Sequence, residues 1–142
     1  MDICAGMSAG QIADFEQHLQ RVILPAGSVL FRENEPGDRL YLLARGEITV
    51  SITLPGKTER SYRLGTYCPG VMLGEMAVLE GKARSADAVV ASECVLYALD
   101  AAALERMKTE APALYSQFML NVTRQLIWRL RKNTVELRAA YS

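Results

Sequence analysis

The spacing of apolar residues changes character twice along the chain. Across residues 8–21, Ile12, Phe15 and Leu19 fall three and four residues apart, which is one face of a helix, and Ser8 stands at the N-cap. From Val22 to Leu99 the period shortens. Runs rich in β-branched and aromatic residues (28–32, 39–44, 47–52, 60–64 and 94–99) alternate with turn residues. Those turns are Pro25-Ala26-Gly27, Asn34 to Asp38, Arg45-Gly46, Leu54 to Lys57, Cys68-Pro69-Gly70 and Glu80-Gly81. Short punctuated strands at such spacing predict an antiparallel barrel, roll or sandwich. The helical period returns at Asp100, which stands as cap to residues 101–110, and Pro112 opens a longer helix to about Ala139. In that helix Phe118, Val122, Leu126 and Leu130 stack at four-residue steps. The predicted order is a helix, many strands and two helices, in segments 1–21, 22–99 and 100–142.

Composition narrows the class. A chain of 142 residues with 50% hydrophobic character suits one globular domain that folds without disulfides or metal. Sixteen basic and sixteen acidic residues cancel, which argues against a dedicated nucleic-acid binder. Three cysteines, Cys4, Cys68 and Cys94, form neither a disulfide framework nor a zinc pattern, and predict a reducing, cytoplasmic setting. His18 is the only histidine, so a metal site or a histidine-assisted nucleophile would have to use it. Neither is expected. No apolar run approaches the roughly 20 residues of a membrane span. The chemistry expected is therefore binding and not catalysis, with no cofactor and no metal.

The stretch from Pro69 to Val90 carries the most chemistry. Gly74 precedes a short helical turn, Glu75 to Leu79, and a glycine there leaves backbone N–H groups open to an anion. Arg84, nine residues beyond Glu75, can return to the same spot and hold two oxygens with its planar fork. Glu75 is a poor phosphate ligand and a good acceptor for a sugar hydroxyl. A sugar phosphate fits this set, although a surface ion pair between Glu75 and Arg84 would use the same two residues.

From Gly74 to Ala86 the residues GEMAVLEGKARSA resemble, without insertion or gap, the phosphate-binding cassette of cyclic nucleotide-binding domains. Gly27 to Phe31, Pro36-Gly37-Asp38, Leu40 to Leu43 and Gly46-Glu47-Ile48 are similar to the glycine-punctuated β-roll of that family. The family serves catabolite activator-type regulators, protein kinase regulatory subunits, and accessory domains of channels and transporters. The resemblance implies a mainly β fold: an antiparallel, jelly-roll-like β-roll with a short N-terminal helix, a short phosphate-binding helix and two C-terminal helices. It places the cassette at 73–87. Glu75 would accept the ribose 2′-hydroxyl, Arg84 would pair with the cyclic phosphate, and Ser85 would contact the phosphate or the base edge. Backbone amides at Gly74, Met76, Ala77 and Ser85 or Ala86 would complete the cradle. Leu73 and Asp87 depart from the usual pattern, and the Asp87 carboxylate would weaken phosphate binding unless it points away.

The implied ligand is cAMP or cGMP, and the implied partner is an attached effector module such as a membrane transporter or channel. The long helix would supply a lid through Leu126, Trp128 and Leu130, or a homodimer contact. Two alternatives stay open. One is the sensing part of a catabolite activator-type regulator, which needs a helix-turn-helix of roughly 70 further residues, so DNA is not expected as a partner of these residues. The other is a structural module with an empty pocket.

Overall fold

The computed structural model describes residues 3–56 and 60–140. Lys57, at the end of one predicted turn, lies outside the described residues, as do the extreme termini of the first and last predicted segments. The chain resolves into two compact units. One is continuous, His18–Leu104, and the other joins the residues up to Gln17 with those from Glu105 onward.

The continuous unit is a six-stranded antiparallel sheet. Its strands are β1 (Gln20–Leu24), β2 (Val29–Phe31), β3 (Arg39–Leu54), β4 (Arg60–Tyr67), β5 (Met72–Leu73) and β6 (Asp87–Asp100). β3 and β6 form the spine, pairing from Arg39↔Asp100 to Ser51↔Asp87. β1 and β2 pair with β6, and β4 and β5 pair with β3, so two long strands carry four shorter ones and roll around a common core. That core holds Phe31, Leu43, Ile48, Val50, Leu73, Ala86, Ala88, Val90, Cys94 and Leu96. The β-roll expected from the residues is present.

Two boundaries differ from the sequence expectation. The turn predicted at Arg45-Gly46 is no chain reversal, because β3 runs straight through it. Gly46 has φ 93°, the register with β6 shifts on both sides of it, and a Cβ there would collide with the carbonyl oxygen of Glu93. A glycine inside a strand marks such a bulge, and the bulge moves the buried positions from Leu43 to Ile48. The first helix, α1, is Ala9–Gln17 and stops short of the predicted Arg21, because Gln20 and Arg21 pair with Ala98 and Tyr97. Strand pairing overrides the helical spacing that Leu19 seemed to extend. His18 sits half-buried just past the helix end.

α1 begins with a reciprocal cap: Gln11 N–H donates to Ser8 Oγ at 3.1 Å, and Ser8 N–H donates to Gln11 Oε1 at 3.0 Å. α3 (Ala101–Glu110) is capped by Asp100, whose Oδ1 accepts from Ala103 N–H at 2.7 Å. α4 (Pro112–Ala140) buries Leu114, Phe118, Asn121, Val122 and Gln125, and its last ten residues are all exposed. Phe118 meets Phe15 of α1 with ring centroids 5.2 Å apart. Asn121 Nδ2 donates to the carbonyls of Ile3 and Ala5 at 2.7 and 2.8 Å, which ties the N-terminal turn to α4. The four-step row expected at Phe118, Val122, Leu126 and Leu130 therefore splits. Its first two members are buried, Leu126 is half-buried and Leu130 is exposed, because steps of four drift about 40° round a helix.

Candidate nucleotide-binding site

The cassette residues gather around α2, Glu75–Glu80, which follows directly on β5. Gly74 stands at its N-cap with φ 76° and has no side chain to cap the first turn, so the N–H groups there receive no side-chain acceptor from it. Within the first turn Glu75 is 2% exposed and Ala77 is buried, while Met76 is exposed. Arg84 is 4% exposed. Two buried side chains do not make a surface ion pair, so that reading of Glu75 and Arg84 falls.

Arg84 is held from three sides. Its Nη1 donates to the carbonyl of Gly74 at 3.0 Å and its Nη2 to the carbonyl of Arg39 at 2.8 Å. Its Cζ lies 4.4 Å from the ring centroid of Phe31, and that ring stacks on Tyr41 at 6.4 Å. Nε is buried and has no hydrogen-bond partner. Burial pulls the guanidinium below its ordinary pKa, while Tyr41 and the Asp38 carboxylate act in the opposite direction. A guanidinium stays protonated throughout the accessible range. The result is a buried cation whose two bonded nitrogens face neutral carbonyls, with its third nitrogen, Nε, left over. A buried charge bonded only to neutral carbonyls is costly, and an anion beside Nε would relieve that cost.

The backbone of Arg84 is fixed as firmly as its side chain. Arg84 N–H donates to Glu35 O at 2.8 Å, Asn34 N–H donates to Arg84 O at 2.9 Å, and Pro36 forms a bridge with Ala83. Two glycines make room. A Cβ on Gly74 would collide with Arg84 Nη1, and one on Gly37 would collide with the Ala77 methyl and lie 3.2 Å from Arg84 Nε.

The expected residues thus fall into three groups. Gly74, Glu75, Ala77 and Arg84 come together. Met76, in the first turn of α2, and Ser85, in the segment before β6, have exposed side chains, and Ala86 is buried in the core. Leu126, Trp128 and Leu130 do not share a face, since positions two apart on a helix lie about 200° apart. Trp128 is 46% exposed, with Lys132 Nζ 5.5 Å from its ring. Leu73 packs into the core, where a branched aliphatic chain fills the space. The Asp87 carboxylate accepts from Glu33 N–H at 2.7 Å.

Sequence reasoning missed Phe31 and Gly37. Phe31 reads as an ordinary strand residue, and Gly37 as one turn glycine among several; only the return of Arg84 over both gives them a role. Among the described residues no group of three His, Cys, Asp or Glu is placed to hold a metal ion, and no helix is long and apolar enough to cross a membrane.

Roll, cassette and buried arginine together have the layout that the sequence resemblance implies. Residues 21–110 match the model of the cyclic nucleotide-binding domain, and the chain belongs to that family. It is 29% identical over 135 residues to a CRP-like cAMP-activated global transcriptional regulator of Mycobacterium tuberculosis, an alignment covering 95% of this chain and 59% of the regulator. It is 32% identical over 107 residues to a cyclic nucleotide-gated potassium channel of Mesorhizobium japonicum, covering 75% of this chain and 28% of the channel. The crystal structure of Thermus thermophilus catabolite activator protein superposes with TM-score 0.81 at 27% identity, over 98% of this chain and 62% of that one. The chain thus spans less than two thirds of the length of each of these relatives.

Proposed function

We propose that this chain binds cAMP or cGMP reversibly and passes the event to an effector, without turning the nucleotide over and without a cofactor. The observation that carries the reading is Arg84: a buried guanidinium on neutral carbonyls, with Nε unpartnered, beside the side-chain-free cap of α2. The cyclic phosphate would meet Arg84 and the N–H groups of the 74–77 turn and of Ser85 or Ala86. Glu75, buried one residue beyond Gly74, would accept the ribose 2′-hydroxyl. Trp128, with Leu126 and Leu130 on the other flank of α4, would serve as the lid, and Trp128 fluorescence would then change on binding.

The names of the relatives support this ligand class, one being cAMP-activated and another cyclic nucleotide-gated. An accessory role behind a channel or transporter remains the first reading of the effector. The regulator alignment reaches 95% of the chain, against 75% for the channel, and so favours the alternative of a regulator's sensing part. Cys68 and Cys94, both thiols, suit a reducing compartment such as the cytoplasm.

α4 also supports a second copy of this chain as partner. Leu120, Ile127, Leu130 and Leu137 are all exposed and follow alternating steps of seven and three residues, opposite the face that buries Leu114, Phe118 and Val122. They fall at a and d positions of a heptad, as in a two-stranded coiled coil, with Thr123 and Thr134 at the positions between.

The test is calorimetric titration with cAMP and with cGMP, followed by melting. Micromolar affinity, about −8 kcal/mol, is expected for at least one of them. Ligand at 100 times Kd should add about 2.7 kcal/mol and raise Tm by several degrees. No heat and no shift with either nucleotide at millimolar concentration sinks the sensor and leaves the structural module.

A further inference from the structure

Asp87 is where the cassette departs from its family, and a carboxylate three residues from the phosphate-pairing arginine invites the expectation of repulsion. The geometry points elsewhere. Asp87 opens β6 opposite Ser51, and its Oδ1 accepts the backbone N–H of Glu33 at 2.7 Å. Glu33 begins the interior of a tight turn, in which Glu35 N–H donates to Arg32 O at 3.2 Å and Asn34 takes φ 70°. Asparagine tolerates that left-handed conformation better than most residues, but the turn still needs support. The Glu33 side chain supplies a second tie, its Oε2 accepting from Thr53 N–H at 3.1 Å.

The same turn clamps Arg84. Asn34 and Glu35 make the two backbone bonds to Arg84, Pro36 bridges to Ala83, and Gly37 follows at once, set against the guanidinium. The chain from 84 to 87 and the turn at 32–37 therefore close into one ring. Peptide bonds hold one side of it, and Asp87 with the Arg84 backbone bonds holds the other.

We infer that Asp87 is a positioning residue for Arg84, acting through the 32–37 turn, and that its carboxylate is engaged there and not turned on the ligand. The affinity arm of the test rests on the nucleotide reading above; a second arm does not. Repulsion and positioning predict opposite signs. If Asp87 repels phosphate, both Asp87→Asn and Asp87→Ala tighten binding of cAMP and cGMP. If it positions Arg84, Asp87→Ala weakens binding about ten-fold, the scale of one charge-assisted hydrogen bond, while Asp87→Asn, which keeps an acceptor oxygen, recovers most of the loss. Tightening in either variant overturns the inference, as does an unchanged Asp87→Ala or an Asp87→Asn that falls as far as Asp87→Ala.

The second arm is amide hydrogen exchange on the ligand-free proteins. In Asp87→Ala the amides of Glu33, Asn34 and Arg84 should exchange about ten-fold faster, with the β1–β6 pairs unchanged and Asp87→Asn restoring protection. Unchanged exchange at those amides overturns the inference. Should the parent protein bind neither nucleotide, the nucleotide reading fails and the exchange result alone decides the role of Asp87.

Discussion

At the scale of single residues, Arg84 concentrates the chemistry. Removing it deletes a cation on which a phosphate would rest in a largely desolvated place. Arg84→Ala should cost binding about 2–5 kcal/mol, a loss of roughly thirty-fold to several thousand-fold by calorimetry. Glu75→Gln keeps a carbonyl acceptor and should cost less, about 1.5–3 kcal/mol. The role proposed for Glu75 is tested by a cycle in which the second change is made on the ligand. Taking away the 2′-hydroxyl should hurt the parent protein and barely affect Glu75→Ala; if the two losses simply add, Glu75 does not meet that hydroxyl. Both residues were legible in the sequence because their types and spacing suit a sugar phosphate. The Phe31 shelf under the guanidinium and the space left by Gly37 were not, since each depends on contacts across 53 and 47 residues of chain.

At the scale of elements, local rules held wherever the element ends in its own signal. Ser8 and Asp100 were readable as caps because the group they satisfy lies three residues away. Asp100→Ala should therefore destabilise the protein by about 1 kcal/mol and lower Tm by about 2–8 °C, with m-values in urea unchanged. An unchanged Tm would mean that the α3 N-terminus finds another acceptor. Where an element ends or bends because of a distant partner, local reading failed. Leu19 sits at a helical spacing, but β6 draws Gln20 and Arg21 into the sheet. Gly46 has the sequence of a turn, but β3 and β6 are paired on both sides of it, and a bulge costs less than abandoning that ladder. Asn121 looks like a surface residue of a long helix until the carbonyls of Ile3 and Ala5 are found beneath it.

At the scale of the whole molecule, two predictions follow from what is covered and what is not. Burial raises the Cys94 thiol above its ordinary 9.0 and the Tyr41 phenol above its ordinary 10.0. A group whose pKa is higher folded than unfolded contributes stability that is complete below the unfolded value and is lost as pH rises through the folded one. Tm should accordingly fall as pH climbs from about 9, and Cys94→Ala, though less stable at neutral pH, should fall less steeply. Equal slopes would show that other groups govern the alkaline limb. The exposed seam of α4 makes the second prediction. If a second copy covers it, the parent should sediment as a dimer and the Ile127→Glu, Leu137→Glu double variant as a monomer with an intact sheet by circular dichroism. A monomeric parent at high micromolar concentration would remove the second copy from the proposal.

Fold class, helix caps, cassette and candidate ligand class were all decided by neighbours in sequence, because period, cap and motif are local properties of a chain. The tertiary structure decided which of those residues share a place. It buried both Glu75 and Arg84, and it set Arg84 on carbonyls contributed by Gly74 and Arg39. It also turned the carboxylate of Asp87 onto Glu33. The direction of a side chain and the company it keeps come from strand register and chain return, and these are settled only when β3 and β6 close on one another. Sequence spacing could set an arginine beside the cassette; only the closed roll decides that its Nε is buried.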